Sequence, residues 1–113
     1  MDYQQRLQLE EKVIDMLRTV FDPEIPVDIY TLGLIYKIDI DDDANLTIDM
    51  TLTAPNCPMA DFIVSDAEYK LRSIEGINAV TINLVFEPAW DPANLPTEVK
   101  MDLGLPLSDE ELL

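Results

Sequence analysis

Apolar positions recur every three to four residues through the opening of the chain. Leu9, Val13, Met16, Leu17 and Val20 fall on one side of a helical spiral, while Gln8, Glu11, Lys12, Asp15 and Arg18 fall on the others. That spacing predicts an amphipathic helix over 3–20. It should stop near Phe21, because Asp22 precedes Pro23 and a residue before proline is steered away from helical angles. Asp22-Pro23-Glu24-Ile25-Pro26-Val27-Asp28 then reads as a loop held by two prolines. Beyond it the period changes to two. Leu34, Tyr36, Ile38 and Ile40 alternate with Ile35, Lys37 and Asp39, which predicts a strand over 34–40 with the first set on one face. Asp41-Asp42-Asp43-Ala44-Asn45 has the polarity and length of a hairpin turn. Residues 46–53 alternate most strictly. Leu46, Ile48, Met50 and Leu52 face one way and Thr47, Asp49, Thr51 and Thr53 the other, so one face is packed and one is wetter.

Ala54-Pro55-Asn56-Cys57 breaks that strand. A second helix is predicted over 58–74, with Pro58 in its first turn, Asn56 or Cys57 as its cap and Asp61 at its positive end. Ile63, Ala67, Leu71 and Ile74 form its inward stripe, and Gly76 ends it. A last strand over 77–86 carries Val80, Ile82, Leu84 and Phe86 on one face. The expected fold class is therefore α+β: a two-layer αββαβ domain, a small three-stranded mixed sheet with two helices on one face. The first two strands pair as an antiparallel hairpin, and the second strand, helix and third strand make a right-handed crossover.

From Glu87 the texture changes to a proline-rich and acidic extension over 88–113. Trp90, the sole tryptophan, is read as packing this extension onto the domain, with a partner groove as the alternative. Thr97–Leu103 reads as a short helix before Gly104. Ser108 with Glu111 resembles a capping box, although the acidic end reads equally as a frayed tail. A chain of 113 residues with 48 % hydrophobic content is expected to be one domain, its core spanning about 5–87, with no need of disulfides or metal staples.

Charge narrows the partners. There are 23 acidic residues against 7 basic ones, a net charge of −16. Phosphate backbones and anionic membrane surfaces both require clustered Lys and Arg, so neither nucleic acid nor membrane is an expected partner. The acidity reads as a soluble, self-repelling surface or as steering toward a basic protein. No apolar run has membrane-spanning length, and the first residues lack a basic region followed by an apolar stretch, so the expected compartment is the cytoplasm.

Chemistry centres on Cys57, the only cysteine, in a chain without histidine. Its place at a strand-to-helix loop puts the thiol where free amide N–H groups and a positive partial charge favour the thiolate. Three readings stand. As a nucleophile it lacks the usual histidine base, and neighbouring carboxylates would discourage its ionisation. As a metal ligand it cannot alone build a structural zinc site or hold an iron–sulfur cluster, both of which take several ligands. It can supply one ligand to a site shared with a second subunit or a partner, and a cluster so held would be exposed and exchangeable. As a structural residue it is a small buried side chain. Asp22, Glu24 and Asp28 read as turn and cap residues. If their loop meets the Cys57 loop, carboxylates, the Thr53 hydroxyl and the thiol line one polar pocket.

Three segments also have familiar wording: Asp22-Pro23-Glu24-Ile25-Pro26 with Leu32-Gly33-Leu34-Ile35-Tyr36; Met50-Thr51-Leu52-Thr53-Ala54-Pro55-Asn56-Cys57-Pro58; and Phe86-Glu87-Pro88-Ala89-Trp90-Asp91-Pro92. Their order and spacing resemble the SufT/PaaD-like family of metal–sulfur cluster assembly factors over roughly residues 5–105. The resemblance implies a cytosolic α+β assembly-type domain that acts in maturation of iron–sulfur proteins. It places the family's cysteine on Cys57, its acidic loop residues on Asp22 and Glu24, and its strand-end threonine on Thr53. PaaD-like members carry further cysteines near the C-terminus, and their absence here favours the SufT-like branch.

The resulting expectation is an accessory or adaptor factor. It binds no cofactor stably, assigns no residue a catalytic role, and uses Cys57 for transient contact with iron or an iron–sulfur cluster. Its expected partners are the iron–sulfur assembly machinery and recipient apo-proteins. A shared site calls for a two-fold homodimer. A thiolate enzyme and an acidic protein-interaction module are the alternatives.

Overall fold

The computed structural model describes residues 1–22, 25–53, 60–107 and 110–112. Among them, α1 (Tyr3–Leu17) leads to β1 (Ile35–Ile40), β2 (Asn45–Met50), α2 (Ala60–Arg72) and β3 (Ala79–Leu84), then a 3-10 turn at Pro92–Asn94 and α3 (Thr97–Leu103). The sheet order is β1-β2-β3, antiparallel between β1 and β2 and parallel between β2 and β3. This is the mixed three-stranded α+β sheet the periodicity predicts. α1 packs on β1, α2 packs on β3, and the two helices touch each other.

The core follows the two periods. Leu9, Val13 and Leu17 of α1, Ile63, Ala67 and Leu71 of α2, and Leu46, Ile48 and Met50 of β2 are all buried. α1 starts in a reciprocal cap, the Asp2 carboxylate accepting from the Gln5 N–H and the Gln5 side chain accepting from the Asp2 N–H. It ends at Leu17, three residues short of the expected 20. The Thr19 N–H bonds to Met16 O and the Val20 N–H to Leu17 O, so the last turn tightens to the 3-10 pattern before Pro23 exerts any influence. α2 ends at Arg72, short of the expected 74, and Gly76 lies in the turn beyond it with φ +100°, where a Cβ would meet the Leu9 side chain at 3.1 Å. The predicted cap of α2 at Asn56 or Cys57, its start at Pro58, and Ser108 of the C-terminal capping box lie outside the described residues.

The turn between β1 and β2 is organised by Asp41. Its carboxylate accepts from the backbone N–H groups of Asp43 and Asn45, each at 2.9 Å, and from the Asn45 side chain at 3.1 Å. These donors, the Asn45 N–H foremost, hold its carboxyl below the usual carboxylate range. Ala44 takes the positive φ of 62° that closes the turn.

β1 departs from simple alternation. Ile38 faces Ile48 and Ile40 faces Leu46, but Ile35, not Tyr36, faces Met50. A bulge at Tyr36 adds one residue to β1. Ile35 is thereby turned onto the core side, and Tyr36, expected on the face of Ile38 and Ile40, is turned out of it. The Tyr36 hydroxyl instead donates to Pro88 O at 2.8 Å.

Beyond residue 87 the chain returns to the domain. Trp90 packs against the core, as expected from its size, and Leu95 is buried within it. α3 forms at the predicted residues and ends at Gly104 in the left-handed conformation. Its Lys100 is buried, with Nζ 2.6 Å from the Glu111 carboxylate, so the last described residues are tied back to α3.

Candidate functional site at the end of the sheet

Between α1 and β1 the described residues fold back on themselves. Phe21 bridges Asp28. The Asp22 N–H donates to Val27 O at 3.2 Å and the Ile29 N–H to Val20 O at 2.8 Å. Inside this return the Asp22 carboxylate accepts from the Ile25 N–H at 3.0 Å, and Asp22 is only 5 % exposed. It is thus a buried acid that shapes the turn. Asp28 does the same one turn later, its carboxylate accepting from the Thr31 N–H at 2.9 Å and its carbonyl from the Leu32 N–H at 3.0 Å. The Arg18 guanidinium lies over the Tyr30 ring, 5.2 Å from its centre, and pins the loop to the end of α1.

A ladder of backbone bonds ties this loop to the exit of β2. The Leu34 N–H donates to Ile29 O at 3.1 Å, and Leu34 O accepts from the Thr51 N–H at 2.8 Å. Leu34, Thr51 and Leu52 are buried, whereas Thr53, the last described residue before 54–59, is half-buried. Asp22 and Thr53 therefore belong to the same end of the sheet, joined through Val20, Ile29, Leu34 and Thr51. Glu24 and Cys57, the other two expected site residues, lie outside the described residues. The chain reappears at Ala60, where α2 begins with Asp61 in its first turn.

The 86–92 segment closes on the same end. The Trp90 indole N–H donates to Leu32 O at 2.6 Å, and Tyr36 is bonded to Pro88. Between them lies a cleft of ≈ 170 Å³ lined by Thr31, Gly33, Tyr36, Trp90, Asp91 and Asn94 among others. Trp90 packs the tail onto the domain, the first of the two readings open from sequence, and it also lines this cleft. Tyr36 is the participant that sequence reasoning missed. Alternation hides it, because only the bulge turns its hydroxyl toward Pro88. Among the described residues, no three acidic or sulfur side chains converge as a metal site.

Residues 10–84 match the family model described as iron–sulfur cluster assembly protein. The matched span contains Asp22, Glu24, Thr53 and Cys57 and ends before Trp90. The chain is 52 % identical over 98 residues to an "Fe-S protein maturation auxiliary factor" of Porphyromonas gingivalis, covering 87 % of this chain and 93 % of that one. It is 38 % identical over 86 residues to the "Fe-S protein maturation auxiliary factor SufT" of Staphylococcus aureus, covering 76 % and 98 %. Among solved structures it resembles a domain of unknown function from Bacillus anthracis, with a TM-score of 0.84, 35 % identity, and coverage of 93 % and 100 %.

Proposed function

The chain belongs to the iron–sulfur cluster assembly protein family, and from that premise we propose that it is a SufT-like accessory factor in the maturation of iron–sulfur proteins. The observation that carries this reading is the 52 % identity, over nearly the whole of both chains, to a maturation auxiliary factor. Geometry supports it: the loop of Asp22, the exit of β2 toward Cys57 and the Trp90 segment are laced to one end of the sheet.

The chemistry follows from a single thiol. Iron–sulfur clusters are held by several thiolates, and this chain has one cysteine and no histidine. Iron or a cluster is therefore cargo, met by Cys57 together with ligands from a partner or a second subunit, and released again. Partial ligation favours release, because the remaining positions stay open to a recipient's thiols. Asp22 holds its own loop in shape through its bond to Ile25, at the end of the sheet where Thr53 lies. The partners are the assembly machinery and recipient apo-proteins, and the setting is the cytoplasm. No helix among the described residues is long and apolar enough to cross a membrane.

Anaerobic incubation with iron and sulfide tests this. The chain alone should develop no lasting cluster absorbance, and with an assembly scaffold and an apo-recipient it should speed recipient maturation, whereas Cys57→Ser should not. Equal acceleration by the Ser variant removes the thiol from the mechanism. A thiolate enzyme would show itself by an alkylation profile displaced well below the ordinary ~8.5 of a free thiol.

A further inference from the structure

The two edges of the sheet are protected very differently. β1 carries the bulge at Tyr36, the exposed charges of Lys37 and Asp39, and the Tyr36–Pro88 bond that ties it to the tail. Bulges and edge charges are the usual means of keeping a foreign strand away. β3, the opposite edge, has neither. Residues 77–86 contain no charge and no proline, in a chain that is 27 % charged.

The backbone of β3 is set up for pairing. Leu84 stands opposite Met50, and the Val85 N–H donates to Met50 O at 2.8 Å. In a parallel ladder this turns the odd-numbered amides toward β2, so the N–H and C=O groups of Val80, Ile82 and Leu84 point to the open edge. Leu84 at the end of β3 and Phe86 just beyond it are 40 % and 41 % exposed. Beside the edge runs a groove of ≈ 280 Å³ lined by Arg72, Ile77, Asn78, Ala79 and Val80. Its helical wall continues from Arg72 along the stripe of Glu68, Val64 and Asp61 on α2. Arg72 is paired with Glu68, so the wall is acidic on balance. A second copy would bring another net −16 to this edge, whereas a basic strand is complementary to it.

We propose that the open edge of β3 takes an extended, basic segment of a partner protein by strand addition. Main-chain bonds to Val80, Ile82 and Leu84 supply the register, and a Lys or Arg side chain of the partner meets Asp61 at the far end of the wall. The proposal uses none of the residues assigned to the thiol's chemistry, so its fate and that of the thiol are decided by different experiments.

The test is a titration of the isotope-labelled full chain with a short synthetic peptide alternating lysine and valine, followed by amide shifts and hydrogen exchange. The expected result is slowed exchange at Val80, Ile82 and Leu84 with β1 unmoved, binding that weakens with salt, and no binding of the glutamate-for-lysine peptide. Leu84→Pro removes an outward N–H, and Thr81→Lys places a repelling charge on the strand. Each should weaken binding about fivefold or more. The proposal is overturned by protection elsewhere, by equal binding of the acidic peptide, by unchanged affinity in both variants, or by a wild-type dimer that Thr81→Lys dissociates.

Discussion

The indole N–H of Trp90 donates to the carbonyl of Leu32 at 2.6 Å across 58 residues of sequence. Leu32 is almost fully buried, so its carbonyl has little access to water when that donor is lost. Trp90→Phe keeps most of the ring packing and removes the donor. It should cost about 1–3 kcal/mol, the range for a buried polar group left unpaired. Urea unfolding followed by far-UV circular dichroism measures it. Tyr36→Phe breaks a more exposed bond to Pro88 and should cost about 1 kcal/mol or less. A neutral Trp90→Phe would mean that the 86–92 segment is held by packing alone.

Asp22 separates architecture from chemistry. Asp22→Asn keeps an acceptor for the Ile25 N–H and should change stability by only a few tenths of a kcal/mol, whereas Asp22→Ala removes the acceptor and should cost about 1 kcal/mol. If Asp22→Asn nevertheless impairs maturation of recipient enzymes while its unfolding curve matches wild type, the carboxylate's charge matters beyond the turn.

Asp41 gives the hairpin a pH dependence of known sign. Its folded carboxyl is held below the usual range by the Asn45 and Asp43 donors. A depressed carboxyl contributes stability above its unfolded pKa of ~3.9 and loses it as pH falls through the lower folded value. Asp41→Asn should therefore flatten the acid limb of the stability curve below about pH 4, relative to wild type. Parallel acid limbs in the two proteins would contradict this.

Much of the architecture is legible in the alternation of residues 46–53 and the helical stripes of 3–17 and 60–72, because one apolar face per element suffices to fix what points inward. Tyr36 is not legible, since a bulge is a matter of register between two strands and leaves no mark on one strand's pattern. The early end of α1 is hidden for a similar reason: Met16 and Leu17 carbonyls are taken by a tightened turn, while Val20 keeps the apolar spacing that makes the helix look longer. Leu95 reaches the core through a tertiary contact from a segment with no period. Asp22 as a turn acid follows from its proline neighbours, but its burial depends on the Val20–Ile29 pairing, which sequence does not display.

Lys100 and Glu111 form the most enclosed ion pair among the described residues, their side chains 6 % and 15 % exposed. Glu111→Ala leaves an ammonium buried without its partner and should cost about 3 kcal/mol. Lys100→Met removes that charge and fills its space, and should cost clearly less. Thermal unfolding of the two variants beside wild type checks the order. Equal losses would show that the pair acts through packing rather than charge.

Activity in cells decides whether Cys57 serves the maturation of iron–sulfur proteins. In a strain lacking its own SufT-like factor, the activity of an iron–sulfur enzyme should be restored by the wild-type chain and not by Cys57→Ser present at equal abundance. Full restoration by Cys57→Ser would contradict the account.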